Sequence, residues 1–230
     1  MLSKEELKKL HGKKYVDSFV TNQSKLRLER LINSVPLSPE YKVVDFGCGN
    51  GMLFTLLSNK VDSYTGIDFS EEFIKAAIKE YSSTSNAEFI CADISEFCSK
   101  NKEVYDLAFA MDLSEHIYDK EWVNILIAIH SSLKNGGMLY IHTPNADFFL
   151  EKMKSKDFIV KQFPEHIAVR NIYDNCKLLK NAGFEINKTN LIPHYNILRL
   201  FHPISFIPVI GRYFKARIFI EAIKNRVPNL

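Results

Sequence analysis

Apolar residues along this chain follow two alternating rhythms. Short runs of β-branched and aromatic residues ("KVVDF", "SYTGID", "AEFICAD", "YDLAFAM" and "MLYIHTPN") read as buried strands. Between them stand segments with helical spacing or helix-start signals: "GMLFTLLSNK", "EEFIKAAIKEY", the shorter "ISEFCSKNK" and the amphipathic "EWVNILIAIHSSLK". Ser70 occupies an N-cap position ahead of Glu71 and Glu72, whose charges suit a helix N-terminus. Asn135-Gly136-Gly137 reads as a helix stop before the fifth strand. Upstream, "SKLRLERLINS" puts Leu28, Leu31 and Ile32 on one helical face, and Pro36 and Pro39 stop it. Strands alternating with helices predict an α/β fold, a parallel sheet with helices on both faces.

After the fifth strand the rhythm changes. The stretch "ADFFLEKMKSKDFIVKQFPEHIAVRN" is irregular, and "IYDNCKLLKNAGF" reads as a helix ending at Gly183. "EINKTNLI" and "KARIFIEAIK" complete a seven-stranded sheet, mostly parallel, with the last strand antiparallel. The connection between these two, 193–214, has 22 residues, where a hairpin needs about 2–5. It mixes aromatics, Ile and Pro with Arg199, Arg212 and, just beyond, Lys215 and Arg217. That mixture reads as a lid or a membrane-surface element, or else as a capping piece that completes the core or a dimer face. Residues 1–40 read as an N-terminal helical cap on a single domain. Within it Tyr15 and Arg27 are candidates for ligand contact, or members of a plain surface helix.

Composition narrows the class. With 46% apolar and 25% charged residues, the 230-residue chain has the makeup of a globular protein that buries a substantial core. No run reaches the roughly 18 apolar residues of a membrane span. The first 15 residues are charged and lack an apolar signal core, which predicts no secretory leader. Cys48, Cys91, Cys98 and Cys176 form no C-x-x-C pair, which argues against a zinc ribbon and fits reduced thiols in a cytosolic protein. Net charge is +3, yet residues 186–230 carry seven basic side chains against Glu221 alone. That end either meets something anionic or is a solvated rim.

The candidate chemistry starts at "KVVDFGCGNGM". In an α/β sheet, ligands bind beyond the carboxyl ends of strands, and three glycines follow this one. A dinucleotide loop needs G-x-G-x-x-G; here Gly47, Gly49 and Gly51 give G-x-G-x-G, followed by Met52. Asp45 in the turn would repel a pyrophosphate. The pattern fits a ligand with a positive end.

"VVDFGCGNG" resembles motif I of class I S-adenosylmethionine-dependent methyltransferases. "YTGIDFS", "CADI", "YDLAFAMDLSEHI" and "LKNGGMLYIHTPN" resemble the later motifs in order, over 43–145. The "EH" after strand four and "PEHIAVRN…LLKNAGFEI" resemble the quinone-biosynthesis O-methyltransferase branch. The resemblance implies a Rossmann-like sheet, S-adenosylmethionine (SAM) as cofactor and S-adenosylhomocysteine (SAH) as product. It implies that Gly47, Gly49 and Gly51 admit the methionine part of the cofactor, with loop amides meeting its carboxylate. Cys48 stands between them as a small buried residue rather than a nucleophile. Asp45 would serve the ammonium, Asp68 the ribose hydroxyls and Phe69 the adenine face. Asp93 would accept from the adenine amino group and the Ile94 amide would meet a ring nitrogen. Met111 would floor the site near the sulfonium. The plainer readings are that the glycines make a turn and Asp68 caps a helix.

Methyl transfer requires an aligned nucleophile and a place for its proton. His116 with Glu115 ranks first as the base, then His166, with His142 third; alternatively Glu115-His116 caps the next helix and His166 is structural. The branch resembled also carries an acid-x-x-Glu-His run, and Asp112, Glu115 and His116 match it as a candidate divalent-metal site. Base-directed nucleic-acid enzymes would show [DNS]-P-P-[FYW] or Pro-Cys, and neither occurs, so nucleic acid is disfavoured. The expected activity is O-methylation of a small molecule or a glycan-, lipid- or quinone-type precursor. The expected setting is the cytoplasm, with peripheral membrane contact through 193–217. An RNA or protein methyltransferase, a non-catalytic SAM-binding protein and an NAD(P)-dependent enzyme are the alternatives.

Overall fold

The computed structural model describes residues 25–154, 166–193 and 203–225. Seven strands lie among them: β1 (Lys42–Phe46), β2 (Ser63–Asp68), β3 (Ala87–Cys91), β4 (Tyr105–Met111), β5 (Leu133–Pro144), β6 (Phe184–Ile192) and β7 (Arg217–Lys224). They form one sheet in the order β3-β2-β1-β4-β5-β7-β6. β1 to β5 pair in parallel, and β7 inserts antiparallel between β5 and β6. This is the Rossmann-like seven-stranded sheet, and its strand order reverses between β1 and β4, where such sheets open a crevice.

Strand alternation decides which side chain meets which layer. Val44, Phe46, Ala108, Leu139 and Ile141 face α4 (Ile94–Lys100), α5 (Asp119–Ser132) and α7 (Ile172–Asn181), with Trp122, Leu126 and Leu179 buried in that layer. Val43, Tyr64, Leu107, Phe109 and Tyr140 face the other way, against α1 (Lys25–Ile32) and α2 (Phe54–Leu57). On β1, Asp45 therefore shares the side of Val43 and Tyr64. The remaining helices are α3 (Glu71–Glu80) and α6 (Phe149–Lys154). Ser70 caps α3 by accepting from the Phe73 amide at 3.4 Å.

Two boundaries differ from the sequence reading. Asn135-Gly136-Gly137 does not stop a helix: α5 ends at Ser132 and those residues lie within β5. Leu133 pairs with Tyr105, the register then shifts, and Gly136 takes φ +80°, so the glycines build a strand irregularity. The helix after the glycine loop is only four residues long, Phe54–Leu57, because 48–53 are spent in turns. Tyr15, the Arg27 side chain and residues 194–202 lie outside the described part.

Candidate active site

A cavity of about 380 Å³ opens at the carboxyl ends of β1 to β4. Its first half is built by the residues ending or following β1, β2 and β3. Gly47, Cys48, Gly49, Asp68, Phe69 and Asp93 line it, as does Ile94. The glycine loop is braced on β2. The Gly47 and Cys48 amides both donate to the Ile67 carbonyl, at 2.8 and 3.0 Å, and the Gly49 amide donates to Asp68 Oδ2 at 3.0 Å. These three amides are thus engaged, whereas the sequence reading had offered the loop amides to a ligand carboxylate. Gly47 has φ +72°, and a Cβ on it would sit 3.0 Å from Leu113 Cδ1 on the cavity wall. Gly51 departs from its expected role. It does not line the cavity; with φ +78°, a Cβ on it would lie 2.6 Å from Phe89 Cε1. Its smallness lets the loop pack on the Phe54–Tyr81–Phe89 aromatic cluster.

The acids of this half do two jobs each. Asp68 accepts from Gly49 and, at 2.9 Å, from the Ser70 amide, and each of its oxygens has a second lone pair. Asp93 caps α4 through Oδ1, accepting from the Ser95 and Glu96 amides at 2.9 and 3.2 Å, while also forming cavity wall. Asp45 is 2% exposed. Tyr64 donates to its Oδ2 at 2.7 Å, and its Oδ1 has no partner among the described residues. Burial raises the Asp45 carboxyl to about 7, with the Tyr64 hydrogen bond opposing and Asp68 adding to the rise. A buried carboxylate oxygen without a donor is costly, and a ligand ammonium would satisfy it. Burial, helped by Asp45 and Asp68, pushes the Cys48 thiol well up, so it is no nucleophile.

The second half follows β4. Met111 ends the strand on the cavity wall. A 3₁₀ turn, Ser114–His116, then presents Glu115 and His116, and His166 comes to them from beyond β5. The two imidazoles meet edge to face with centroids 5.1 Å apart. One ligand atom from each of Glu115, His116 and His166 lies within 4.8 Å of the others. Asp112 is outside this trio, contrary to the D-x-x-E-H reading. Its backbone turns to φ +54°, and its Oδ1 accepts from Arg217 Nη1 at 2.9 Å and lies 2.9 Å from His142 Nδ1. His142 is fully buried and forms no part of the cavity wall, so it holds Asp112 rather than serving as a base.

Glu115 does not cap α5, whose N-cap is Tyr118. It is 1% exposed and accepts from the Thr143 hydroxyl at 3.1 Å, while the Ser114 hydroxyl donates to Thr143 Oγ1 at 2.9 Å. Burial raises its carboxyl to about 8; Asp112 adds to the rise and Arg217, 3.9 Å away, opposes it. Two arginines join the site that the sequence does not offer as site residues. Arg217, which the sequence groups with the basic residues beside 193–214, opens β7 and lines the cavity. Arg170, 5% exposed, donates to the Ser114 and Ile117 carbonyls and, through Nε, to Asp119 Oδ1 at 2.7 Å. It ties the strand of chain carrying His166 to both ends of the turn carrying His116.

A family model described as a methyltransferase domain matches residues 17–189. The chain belongs to this methyltransferase family. A ubiquinone biosynthesis O-methyltransferase of Thiobacillus denitrificans is 27% identical over 160 residues, covering 68% of this chain and 66% of that protein. One of the same name from Saccharophagus degradans is 24% identical over 156 residues, covering 65% of each. The chain thus spans about two thirds of the length of the curated relatives it matches. A solved SAM-dependent methyltransferase from Archaeoglobus fulgidus shares the fold with a TM-score of 0.71 at 17% identity, covering 93% of this chain and all of that one.

For a methyltransferase, the sheet order divides the cavity usefully. Asp45 and Asp68 stand on β1 and β2 and Asp93 follows β3, all three on the first half of the cavity wall. Glu115, His116 and His166 line the second half, and Met111 at the end of β4 lines the same cavity. The same trio, two imidazoles and a carboxylate, is a donor set suited to a divalent ion.

Proposed function

We propose that the chain is a SAM-dependent O-methyltransferase acting on a hydroxyl of a small molecule of quinone or lipid type. The observation that carries this is the single cavity with the unpartnered Asp45 Oδ1 in one half and the Glu115–His116–His166 group in the other. The names of the relatives support an oxygen nucleophile. When bound, SAM would supply an electrophilic methyl to the acceptor hydroxyl, its sulfur keeping the electron pair of the S–CH₃ bond as SAH, and the protein's part is to align the hydroxyl and take its proton. The hydroxyl proton passes to His116, since burial raises the Glu115 carboxyl and makes it the less ready acceptor. His166 packs on His116 and fixes its ring. A lipid-type acceptor also places the chain at a membrane surface as a peripheral protein.

The test pairs SAH calorimetry with transfer of radiolabelled methyl from SAM to a panel of alkylated catechols. Tight SAH binding with label in a catechol product is the expected result. Binding with no label in any phenol would point to the non-catalytic reading. A second reading rests on the same trio: Glu115, His116 and His166 would hold a divalent ion. Such an ion would lower the pKa of a nearby acceptor hydroxyl.

A further inference from the structure

The β6–β7 connection carries an apolar tip. Residues 203–214 form two short 3₁₀ turns, Pro203–Phe206 and Gly211–Phe214, folded tightly on each other. The Gly211 amide donates to the Ile207 carbonyl at 2.8 Å, and a Cβ on Gly211 would lie 2.4 Å from the Ser205 carbonyl oxygen. Ser205 is 2% exposed, Phe214 packs on Phe149 of α6 at 5.3 Å, and Lys152 sits 4.6 Å above the Tyr213 ring. The base is therefore fixed. From it Phe206 and Val209 project at 77% and 84% exposure, flanked by Ile207 and Ile210 at 45% and 46%. Among the described residues the other large exposed apolar ones, Ile78, Ile127 and Tyr173, are far apart in the chain, as ordinary surface residues are. Four within five positions make a patch.

Position and charge say what the patch meets. Ile192 at the end of β6 and Pro144 at the end of β5 both register with Arg217, which opens β7 and lines the cavity. The tip thus rises from the same sheet edge as the cavity. Arg212, exposed, adjoins the tip in the chain with Lys215 just beyond it, and Lys152 of α6, which pairs with Asp147 at 3.4 Å, stands over the neighbouring Tyr213 ring. Apolar side chains on a protruding turn, with cations at their base, match a bilayer: acyl chains take the first and anionic headgroups the second. We propose that residues 203–212 dock the protein on an anionic phospholipid surface, with Phe206, Ile207, Val209 and Ile210 entering the headgroup–acyl boundary. The inference deepens the proposed function, naming the element and the lipid chemistry, and it rests on that reading for the idea that the acceptor arrives from the bilayer.

Co-sedimentation of the full chain with sucrose-loaded vesicles tests it, using phosphatidylcholine alone and phosphatidylcholine–phosphatidylglycerol in equal parts. The wild type is expected to sediment with the anionic vesicles and far less with the neutral ones. Phe206→Ser with Val209→Ser should weaken this binding by more than about tenfold, and Arg212→Glu by at least about fivefold, as the loss of one surface cation implies. Both variants change exposed side chains, so SAH affinity measured by calorimetry should stay at the wild-type value, which separates this question from the cofactor reading. Failure of the wild type to sediment with either vesicle, or equal binding by wild type and the double variant, overturns the proposal. So does a wild-type dimer in sedimentation velocity that the double variant converts to monomer, because the patch would then be an interface between two copies.

Discussion

Tyr64 donates its phenol to Asp45 at 2.7 Å, and this is the only hydrogen bond the buried Asp45 carboxylate receives among the described residues. The pair sits in neighbouring strands, with Asp68, the Cys48 thiol and Tyr81 as the other titratable groups facing it. Burial holds the Asp45 carboxyl at about 7, so in the empty protein near neutrality it is part protonated. A cofactor ammonium prefers the charged form. SAH affinity should therefore rise about tenfold per pH unit below that value and level off above it. Asp45→Asn should flatten the profile and weaken binding. Tyr64→Phe removes the bond that lowers the Asp45 pKa, and should move the break point upward by about one unit. Calorimetry from pH 5.5 to 8.5 measures all three; a flat wild-type profile would remove Asp45 from the ammonium site.

Gly51 makes a different kind of prediction from Gly47 because its neighbours are aromatic rings rather than the cavity wall. At φ +78°, Gly51→Ala costs about 1–2 kcal/mol in backbone energy alone. The new Cβ would also stand 2.6 Å from Phe89 and 2.8 Å from Tyr81, which stack on each other at a 5.5 Å centroid distance and must separate to make room. Overpacking of that sort adds about 1–3 kcal/mol. Urea unfolding should show a total loss of about 2–5 kcal/mol. An unchanged midpoint would mean the loop relaxes away from the rings.

Most of the first half of the cavity wall was legible in the sequence because its residues end or follow buried apolar runs. Val43-Val44, Tyr64–Ile67 and Phe89-Ile90 announce strands, and a strand end is where an α/β sheet binds ligands. The same reasoning could not separate Gly51 from Gly47, since which glycine meets a ligand and which meets Phe89 depends on packing. The second half was harder for a physical reason. Arg217 reaches Asp112 across 105 residues and Arg170 reaches the Ser114 carbonyl across 56. No local pattern encodes contacts made when β7 inserts beside β5. Asp112 looked like a ligand because D-x-x-E-H is contiguous, yet Arg217 and His142 claim it. Asn135-Gly136-Gly137 carried the usual signature of a helix end, and tertiary pairing of Leu133 with Tyr105 overrode it one turn earlier.

Arg170 should matter more than its ion pair suggests. Asp119, its carboxylate partner, is 69% exposed, so that pair alone contributes under about 1 kcal/mol and Asp119→Asn should be mild. The guanidinium's other two donors hold carbonyls on either side of Glu115-His116, and a lysine ammonium cannot reproduce that fork. Arg170→Lys is expected to lose about 1–3 kcal/mol of stability and to cut the methyl-transfer rate by up to about a hundredfold, since the base shifts relative to the cofactor. SAH affinity, set by the other half of the cavity, should change little. Equal losses in SAH affinity and rate would make Arg170 a general fold residue.

The Glu115–His116–His166 trio predicts a specific pattern of metal uptake. Glu115 is buried with no cation at bonding distance, Arg217 being 3.9 Å away, and both imidazoles lie on the cavity wall beside it. A carboxylate and two imidazoles favour Zn²⁺ or Co²⁺ over Mg²⁺, which prefers all-oxygen ligands. After EDTA treatment the protein is expected to take up one Co²⁺ and develop visible absorption. His166→Ala and Glu115→Gln should each weaken uptake by about tenfold or more. Asp112→Asn should leave it within about twofold, because Asp112 is turned toward Arg217 and His142 and supplies no ligand. If instead Asp112→Asn abolishes the absorption and His166→Ala spares it, the contiguous D-x-x-E-H run is the metal site after all. If the protein takes up no ion, the two histidines act only on the acceptor proton, and His116→Gln should then remove most of the transfer rate with EDTA having no effect.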